Sequence, residues 1–444
     1  MKIELPAKVT FIINNLQLHG HEAFAVGGCI RDSILAKEPE DWDITTSAKP
    51  HEVKQLFRHT VDTGIEHGTV AVLLGKDVFE VTTYRIDGVY EDSRRPREVI
   101  FTQQLEEDLK RRDFTINAMA YNDEARLVDI FGGMRDLNGH LIRCVGDAKA
   151  RFSEDALRIL RAIRFSAQLG FHIDLDTKEA IQSLAPTLAN ISAERIQIEL
   201  VKLLTSDHPE RIQEAYQLGI TRVILPEWDA MVGVQQNTHH HQYDVAEHTL
   251  QALKAVKNDK ILRLTMLFHD MGKPHRKTTD EKGDHFKGHA IVSEELARTI
   301  LQRLKFDNET IKKVAQLVHF HDYRMVATSR SVRRAMNRIG IELFPYYLAV
   351  RLADTKAQST YQRKAKIENI IEIRELYQQI LQAEECVMLR DLAVTGRDLI
   401  NLGMKPGQEL GQMLDNLLEL VIDDPEHNNK EFLCDYVKKK MDKY

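Results

Sequence analysis

The chain has 444 residues and carries 61 Lys and Arg against 67 Asp and Glu, a formal charge of -6. At roughly 100–200 residues per domain, that length holds two to four domains, each able to bury a core. Its 43% hydrophobic and 29% charged residues, with 22 Gly and 11 Pro, match soluble globular usage and exclude collagen-like, disordered and mucin-like chains. Any nucleic-acid partner must therefore be held by a local basic surface.

Cys29, Cys144, Cys386 and Cys434 are far apart and form no C-x-x-C pair, so neither a disulfide framework nor a zinc knuckle is expected, and a reducing cytoplasm is. The N-terminal stretch has charges on both sides of a short apolar run and no small-residue cleavage site, and no run of about 18 uncharged apolar residues follows. The expectation is no export and no membrane span.

In chain order, residues 1–146 alternate β-like runs at 69–74, 78–84 and 99–101 with helical patterns, punctuated by Gly27-Gly28 and Gly132-Gly133. Beyond residue 147 strand signals nearly vanish, and residues 154–169, 193–204, 292–304 and 308–319 carry apolar positions at helical spacing. An α+β chain is predicted, its sheet confined to the first third. The polar, His-rich stretch 237–243 marks a domain start, and a further break falls near 363–366. This divides the chain into 1–146, 147–235, 236–362 and 363–444.

Three groups of residues carry chemistry. In the first, Gly27-Gly28 and Arg31 precede Asp41-Trp42-Asp43 by about ten residues. Residues two apart on a strand share a face, so Asp41 and Asp43 are predicted side by side. Paired carboxylates repel unless a cation lies between them, and oxygen donors suit Mg²⁺ held jointly with phosphates. Glu80, in a strand-like run, supplies a third carboxylate, the number two metals need for in-line nucleotidyl transfer. Arg112, in a basic cluster at 110–112, is a candidate phosphate or ribose contact.

The second group is Asp155 and Arg158, in a segment where Ser153 reads as an N-cap and both residues fall on one helix surface. The plain reading is an intrahelical ion pair. The functional reading is base selection: a carboxylate accepts from the amine of C or A, a guanidinium donates to ring acceptors, and G and U present the wrong pattern.

The order GGxxRD, DxD, RRDFTINAMA, DxxGGMxDL and EDxLRxLRAxRF, from residue 27 to 165, resembles the class II tRNA nucleotidyltransferase family, which comprises the CCA-adding enzymes and bacterial poly(A) polymerases. The resemblance runs from about residue 25 to 171 and continues over 193–204. It implies a DNA polymerase beta-like head followed by helical neck, HD and tail regions. It also implies Asp41 and Asp43 as Mg²⁺ ligands, with Glu80 as third carboxylate. Gly28, Arg31 and Arg112 match nucleotide-binding positions, Asp155 and Arg158 the base-selecting pair, and Arg161 and Arg164 further nucleotide contacts. Residues 84–96 resemble the family's flexible loop, linked to the switch from C to A addition, which argues against a CC-only enzyme. Cys29 stands where Ala or Ser is frequent, with little consequence expected.

The third group lies in the His-rich region. His248, His269, Asp270 and Asp354 resemble the metal ligands of HD-domain phosphohydrolases, and His289 and His321 match the extra histidines of some HD families, with His319 competing for the latter place. Mixed N and O ligation suits Mn²⁺, Fe²⁺, Ni²⁺ or Mg²⁺ more than structural zinc. The implied partners are the tRNA 3' end, CTP and ATP, with no membrane; oligomeric state stays open. An A-adding enzyme or poly(A) polymerase shares nearly all the head motifs, and a phosphohydrolase with an RNA-binding head is the alternative from another class.

Overall fold

A computed structural model of the chain describes residues 2–88, 90–91, 95–96, 99–281 and 283–441. Positions 89 and 92–94 of the loop singled out above, and 97–98 just after it, lie outside the described residues. The chain separates into two compact units, Met1–Asp229 and Ala230–Tyr444.

The first unit is built on a seven-stranded sheet. Its strands run, edge to edge, Arg126–Val128, Ala120–Asn122, Ala23–Val26, Ile44–Thr46, Asp77–Thr83, Thr69–Leu74 and Thr60–Gly64. Only the Ile44–Thr46 and Asp77–Thr83 pair is parallel. The interior strand Ala23–Val26, third in this order, is buried along its whole length, which explains its unbroken apolar sequence AFAV. The helix Ala7–Leu18 covers it with Val9, Ile12, Ile13 and Leu16, an i, i+3, i+4, i+7 stripe that is fully buried.

Helices follow at Ala148–Glu154, Leu157–Leu169, Leu175–Leu184 and Ala193–Leu204. Leu157–Leu169 is buried almost all round, Arg158 and Arg164 included, and packs on Ala193–Leu204. A helix that buries two guanidiniums needs partners for them, and those partners define the site described below. Ser153 is inside the Ala148–Glu154 helix, so it is not the predicted N-cap; Asp155 is the break between two helices. The fading of strand signals beyond 147 is incomplete: His172–Ile173 pairs in parallel with Leu141–Ile142, and a hairpin joins Thr278–Asp280 to Gly283–His285.

In the second unit, helices Val245–Ala255, Lys260–Phe268, His289–Arg303, Asn308–Phe320 and Phe344–Ala357 form a bundle. One apolar core continues from Leu317 and Tyr347 into Ile370, Ile373 and Ile380 of the long helix Arg363–Gln382. A separate core, with Leu399, Leu417, Val421 and Leu433, closes the C-terminal helices. No described helix is long and apolar enough to cross a membrane.

Candidate active site

Asp41 and Asp43 lie in the segment entering the Ile44–Thr46 strand, not within a strand as the D-x-D spacing predicts. The Asp43 carbonyl still accepts from the Val26 N–H at 3.0 Å, so the interior strand fixes the segment's course. The parallel register Ile44↔Val81, carried one residue back, sets Glu80 level with Asp43. Loss of solvation, then the charges of Asp43 and Asp41, raise the Glu80 pKa above the ordinary value. Loss of solvation also raises Asp43, where Asp41 adds to the effect and Arg112 opposes it. Oxygen donors held this close, with the charges of Asp41 and Asp43 acting on Glu80 and that of Asp41 on Asp43, form a set suited to a hard divalent cation. Among the described residues, metal-type groups whose ligand atoms close within 4.8 Å occur only in the second unit, so the head carboxylates are electrostatically coupled without forming a closed cage.

Beside these carboxylates is a cavity of about 450 Å³. Seven arginines and three aspartates line it, which gives this acidic protein the local positive surface its composition demands. Gly27 turns its floor with φ +87° and ψ -129°, a conformation reserved for glycine, and a Cβ there would stand 3.0 Å from Arg112 Nη1. Arg31 is buried and pre-oriented: it donates twice to Asp32 at 2.8 Å and to Asn117 Oδ1 at 2.7 Å. Arg111 and Arg112 share the buried Asp108, whose carboxyl they hold below the ordinary range against the effect of burial. Cys29 is a buried neutral thiol, pushed up to about 12 by burial and by Asp43, so its departure from the family's Ala or Ser adds no charge.

The far wall comes from the Leu157–Leu169 helix. Arg161 grips Asp113 Oδ2 at 2.6 and 2.7 Å. Burial raises the Asp113 pKa, but Arg161, Asn117 and the Phe114 N–H outweigh it and hold the carboxyl at about 2. Arg164 meets Glu199 at 2.7 Å and lies 3.9 Å above the Phe165 ring, with Arg31 and Arg161 at 5.0 and 5.3 Å from the same ring. Burial, with Arg161 and Arg31 as like charges, lowers Arg164 to about 10 despite Glu199. Phe165 is thus a platform that spaces three guanidiniums.

Asp155 and Arg158 are both in this wall, but they do not pair through their side chains. Asp155 Oδ2 accepts from Arg195 Nη2 at 2.7 Å and Oδ1 from the Leu157 N–H at 3.0 Å. Arg158 donates to Glu154 at 2.6 Å and to the carbonyls of Arg151 and Arg111 at 3.0 and 2.8 Å. The intrahelical Asp155–Arg158 ion pair, the plain reading of the sequence, is therefore absent: Asp155 precedes the helix, and Glu154, one turn before Arg158, takes the arginine. Arg195, Asn117, Asp113 and Phe165 carry weight that the sequence reading did not assign them. Asn117 and Asp113 were visible inside RRDFTINAMA, whereas Arg195 is 40 residues from its partner.

In the second unit, His248, His269 and Asp354 form one compact group and Asp270, His289 and His321 another. Asp270 joins them: Oδ2 is 3.3 Å from His269 Nε2 and 3.5 Å from His248 Nε2, while Oδ1 is 3.3 Å from His289 Nε2. The Nδ1 atoms of His269, His289 and His321 donate to the Met266, Phe286 and Val318 carbonyls at 2.7–2.9 Å, and that of His248 to Ala357 at 3.4 Å. That tautomer leaves the Nε2 lone pairs facing inward, 3.4 Å apart in one pair and 3.0 Å in the other, an arrangement that calls for a cation between them. His319, which competed with His321 in the sequence, stands outside this cluster: it is exposed and bonded to Glu294 at 2.7 Å. Lys273 Nζ, 2.6 Å from Asp270 Oδ2, and Arg351 Nη1, 3.5 Å from Asp354 Oδ2, are charged neighbours the motif did not announce. Gly272 lets this segment dock, because a Cβ there would fall 2.4 Å from the His289 carbonyl oxygen.

Comparison with known proteins places the two units. Residues 23–143 match the family described as the poly A polymerase head domain, 170–232 a probable RNA and SrmB-binding site of polymerase A, and 288–437 tRNA nucleotidyltransferase domain 2. The chain is 34% identical over 430 residues to a CCA-adding enzyme of Bacillus velezensis, covering 96% of this chain and 97% of that one. A CCA-adding enzyme of Leuconostoc mesenteroides is 46% identical over 240 residues, 53% of this chain and 60% of the relative. The crystal structure of the Bacillus stearothermophilus CCA-adding enzyme in complex with CTP superposes with a TM-score of 0.75 at 27% identity, over 99% of both chains. With near-complete coverage at this identity, a polymerase-beta-like head and a helical remainder, the chain belongs to the CCA-adding enzyme family of tRNA nucleotidyltransferases.

Proposed function

We propose that the chain completes tRNA 3' ends by adding C, C and A from CTP and ATP without a nucleic-acid template. The observation that carries this reading is a seven-arginine cavity flanked by Asp41, Asp43 and Glu80 on one side and by Asp155 on the other. Triphosphate charge goes to the arginines, and the base edge goes to Asp155. Each Asp155 oxygen accepts one bond within the protein and keeps acceptor capacity for the exocyclic amine of C or A. A Mg²⁺ ion, when bound by Asp41 and Asp43, would offset triphosphate charge and acidify the attacking hydroxyl. The tRNA 3' oxygen forms a bond to the α-phosphorus, the α–β anhydride breaks, and pyrophosphate leaves. Glu80, with its raised pKa, is suited to hold the hydroxyl proton. Phe165 and its ring of guanidiniums keep the wall rigid while bases of two sizes are received.

The test uses tRNA transcripts ending before C, after C and after CC, each offered one nucleoside triphosphate at a time. Growth by C, C and A in that order supports the reading. Addition of A alone, or of long A runs, replaces it with the A-adding enzyme or the poly(A) polymerase. Asp43→Ala should abolish growth while circular dichroism stays unchanged. A cytoplasmic site of action belongs to the same reading, and four cysteines without disulfides suit a reducing compartment.

A second activity is favoured by the inward-facing histidine Nε2 atoms. We read the second unit as an HD-type phosphohydrolase centre, with His248, His269, Asp270 and Asp354 holding one divalent ion and His289 and His321, sharing Asp270, a second. Mn²⁺, Fe²⁺ or Ni²⁺ suits these donors. A 2',3'-cyclic phosphate on damaged tRNA is the substrate we favour: water adds to phosphorus, one P–O bond breaks, and a monoester remains. His269→Ala should remove phosphoesterase activity and spare CCA addition. Loss of both in a folded variant, or no hydrolysis with any of these metals, would refute it.

A further inference from the structure

Next to the histidine centre is a second cavity, of about 330 Å³, between the Phe344–Ala357 and Arg363–Gln382 helices. The two sites share a wall. Asp354 turns Oδ1 toward His248 Nε2 at 3.0 Å and Oδ2 the other way, to Gln358 Nε2 at 3.0 Å and Arg351 Nη1 at 3.5 Å, both residues of the cavity lining. Tyr347, Arg351, Asp354 and Gln358 recur at helical spacing, so a single helix face presents the cavity and the metal-type ligand together.

Its chemistry is divided. Arg324, Arg351 and Lys366 supply three cations; the carboxylates that meet Arg324 and Arg351, Asp322 at 3.3 Å and Asp354 at 3.5 Å, stand outside the lining. Lys366 donates to Gln358 Oε1 at 2.7 Å and meets His240 Nδ1 at 3.4 Å, both uncharged partners at neutral pH. Burial lowers the Lys366 pKa, and Arg324 and Arg351 lower it further despite Asp354, the mark of positive charge in excess. Tyr323, Met325, Tyr347 and Ile370 provide an apolar side, fixed by Tyr347 Oη donating to the Tyr323 carbonyl at 2.6 Å. The amides of Gln362 and Asn369 add both donors and acceptors. A plain anion has no use for the aromatic side, and an apolar ligand none for the three cations. A flat heterocycle joined to a phosphate uses both, and the volume is at the lower end of the range for small-molecule sites, roughly 300–1,000 Å³.

We propose that this cavity binds a nucleoside monophosphate, free or as the terminal residue of an RNA, and holds it against the histidine centre through the wall formed by Asp354. The role as substrate subsite rests on the phosphohydrolase reading above; the binding itself does not.

The experiment photolabels the full-length protein with 8-azidoadenosine monophosphate, with excess CTP present to saturate the head, and maps the labelled peptides. Labelling within 322–326 or 345–350 is expected, falling at least ten-fold in Arg324→Glu/Lys366→Glu. Arg324→Glu alone, at a side chain 69% exposed, gives a partial loss without burden on folding. Protection by AMP identifies a free nucleotide, and stronger protection by a short RNA ending in a 3'-phosphate identifies an RNA end; either supports the site. Label elsewhere only, labelling undiminished in the double variant, or equal protection by inorganic phosphate would overturn it. Mn²⁺ uptake followed by electron paramagnetic resonance separates the two ideas. Uptake that depends on His269, without cavity labelling, sinks the subsite alone, whereas labelling without uptake supports the cavity and sinks the metal centre.

Discussion

Removing Arg195 tests whether base selection depends on how Asp155 is held. The pair is a single 2.7 Å contact between Nη2 and Oδ2, with side chains 27% and 18% exposed. A charge-assisted hydrogen bond contributes roughly 1.5–3 kcal/mol when buried, and partial solvent screening reduces that to about 1–2 kcal/mol here. If that energy serves to orient the carboxylate in the transition state, Arg195→Ala lowers kcat/KM for CTP by roughly five- to thirty-fold. Discrimination should fall as well, because a carboxylate free to rotate no longer penalises the carbonyl of uracil. Single-nucleotide incorporation on one tRNA transcript, with CTP and UTP in separate reactions, reads both effects. Triphosphate affinity should change little, since the proposed reading sets Asp155 against the base. Arg195→Lys keeps the charge but loses the planar fork, so partial recovery of rate without full recovery of selectivity is expected. Unchanged rate and an unchanged CTP to UTP ratio in Arg195→Ala would show that the contact plays no part in selection.

Two further outcomes follow from the head. Asp113 is held at about 2 against an ordinary 3.8, so its native-state advantage is complete above about pH 4 and lost as pH falls toward 2; by linkage it amounts to about 2 kcal/mol. Asp113→Asn should flatten that acid limb in urea unfolding curves and cost about 2 kcal/mol at neutral pH, because the amide oxygen still accepts from Arg161 but the charge that favoured the pair is gone; an unaltered pH profile would contradict it. Gly27→Ala should cost about 1–3 kcal/mol in backbone strain and reduce nucleotide incorporation by pressing on Arg112; a wild-type melting temperature with wild-type rate would count against this.

What could be read in the sequence was whatever nucleotidyl transfer needs at short spacing. Asp41 and Asp43, the glycine pair and Arg112 stand within short motifs, and the strand-like runs at 69–74 and 78–84 fall on the strands Thr69–Leu74 and Asp77–Thr83. Legibility failed where the decisive contact is long-range. Nothing near Asp155 announces Arg195, and the i, i+3 spacing to Arg158 favours an intrahelical pair that the helix break at Asp155 prevents. His319 and His321 were inseparable in sequence because they differ by two positions near a helix end. Packing separates them, turning one to solvent and Glu294 and the other into the buried cluster.

The carboxylates Asp43 and Glu80 of the head and Asp270 and Asp354 of the second unit are shifted in opposite directions, which bears on how each centre would take up a cation under the function proposed above. In the head, Asp43 and Glu80 are raised, so the site carries more negative charge than its surroundings stabilise. A divalent ion entering there would relieve repulsion, and on the proposed reading its triphosphate companion would meet the arginines of the adjoining cavity. In the second unit, burial pushes Asp270 and Asp354 up, but histidines, with Lys273 at Asp270 and Arg351 at Asp354, outweigh it and hold both carboxyls well below the ordinary range. Lys273 already occupies Asp270 Oδ2 at 2.6 Å, the oxygen that faces His248 and His269. A metal at that corner would have to displace an ammonium group before it gained a ligand, whereas among the described residues no lysine is paired at the corner formed by Asp270 Oδ1, His289 and His321. On the proposed phosphohydrolase reading, titration with Mn²⁺ should therefore load the corner of Asp270 Oδ1, His289 and His321 first, so that His321→Ala removes the tighter of two binding steps; loss of only the weaker step would refute this order.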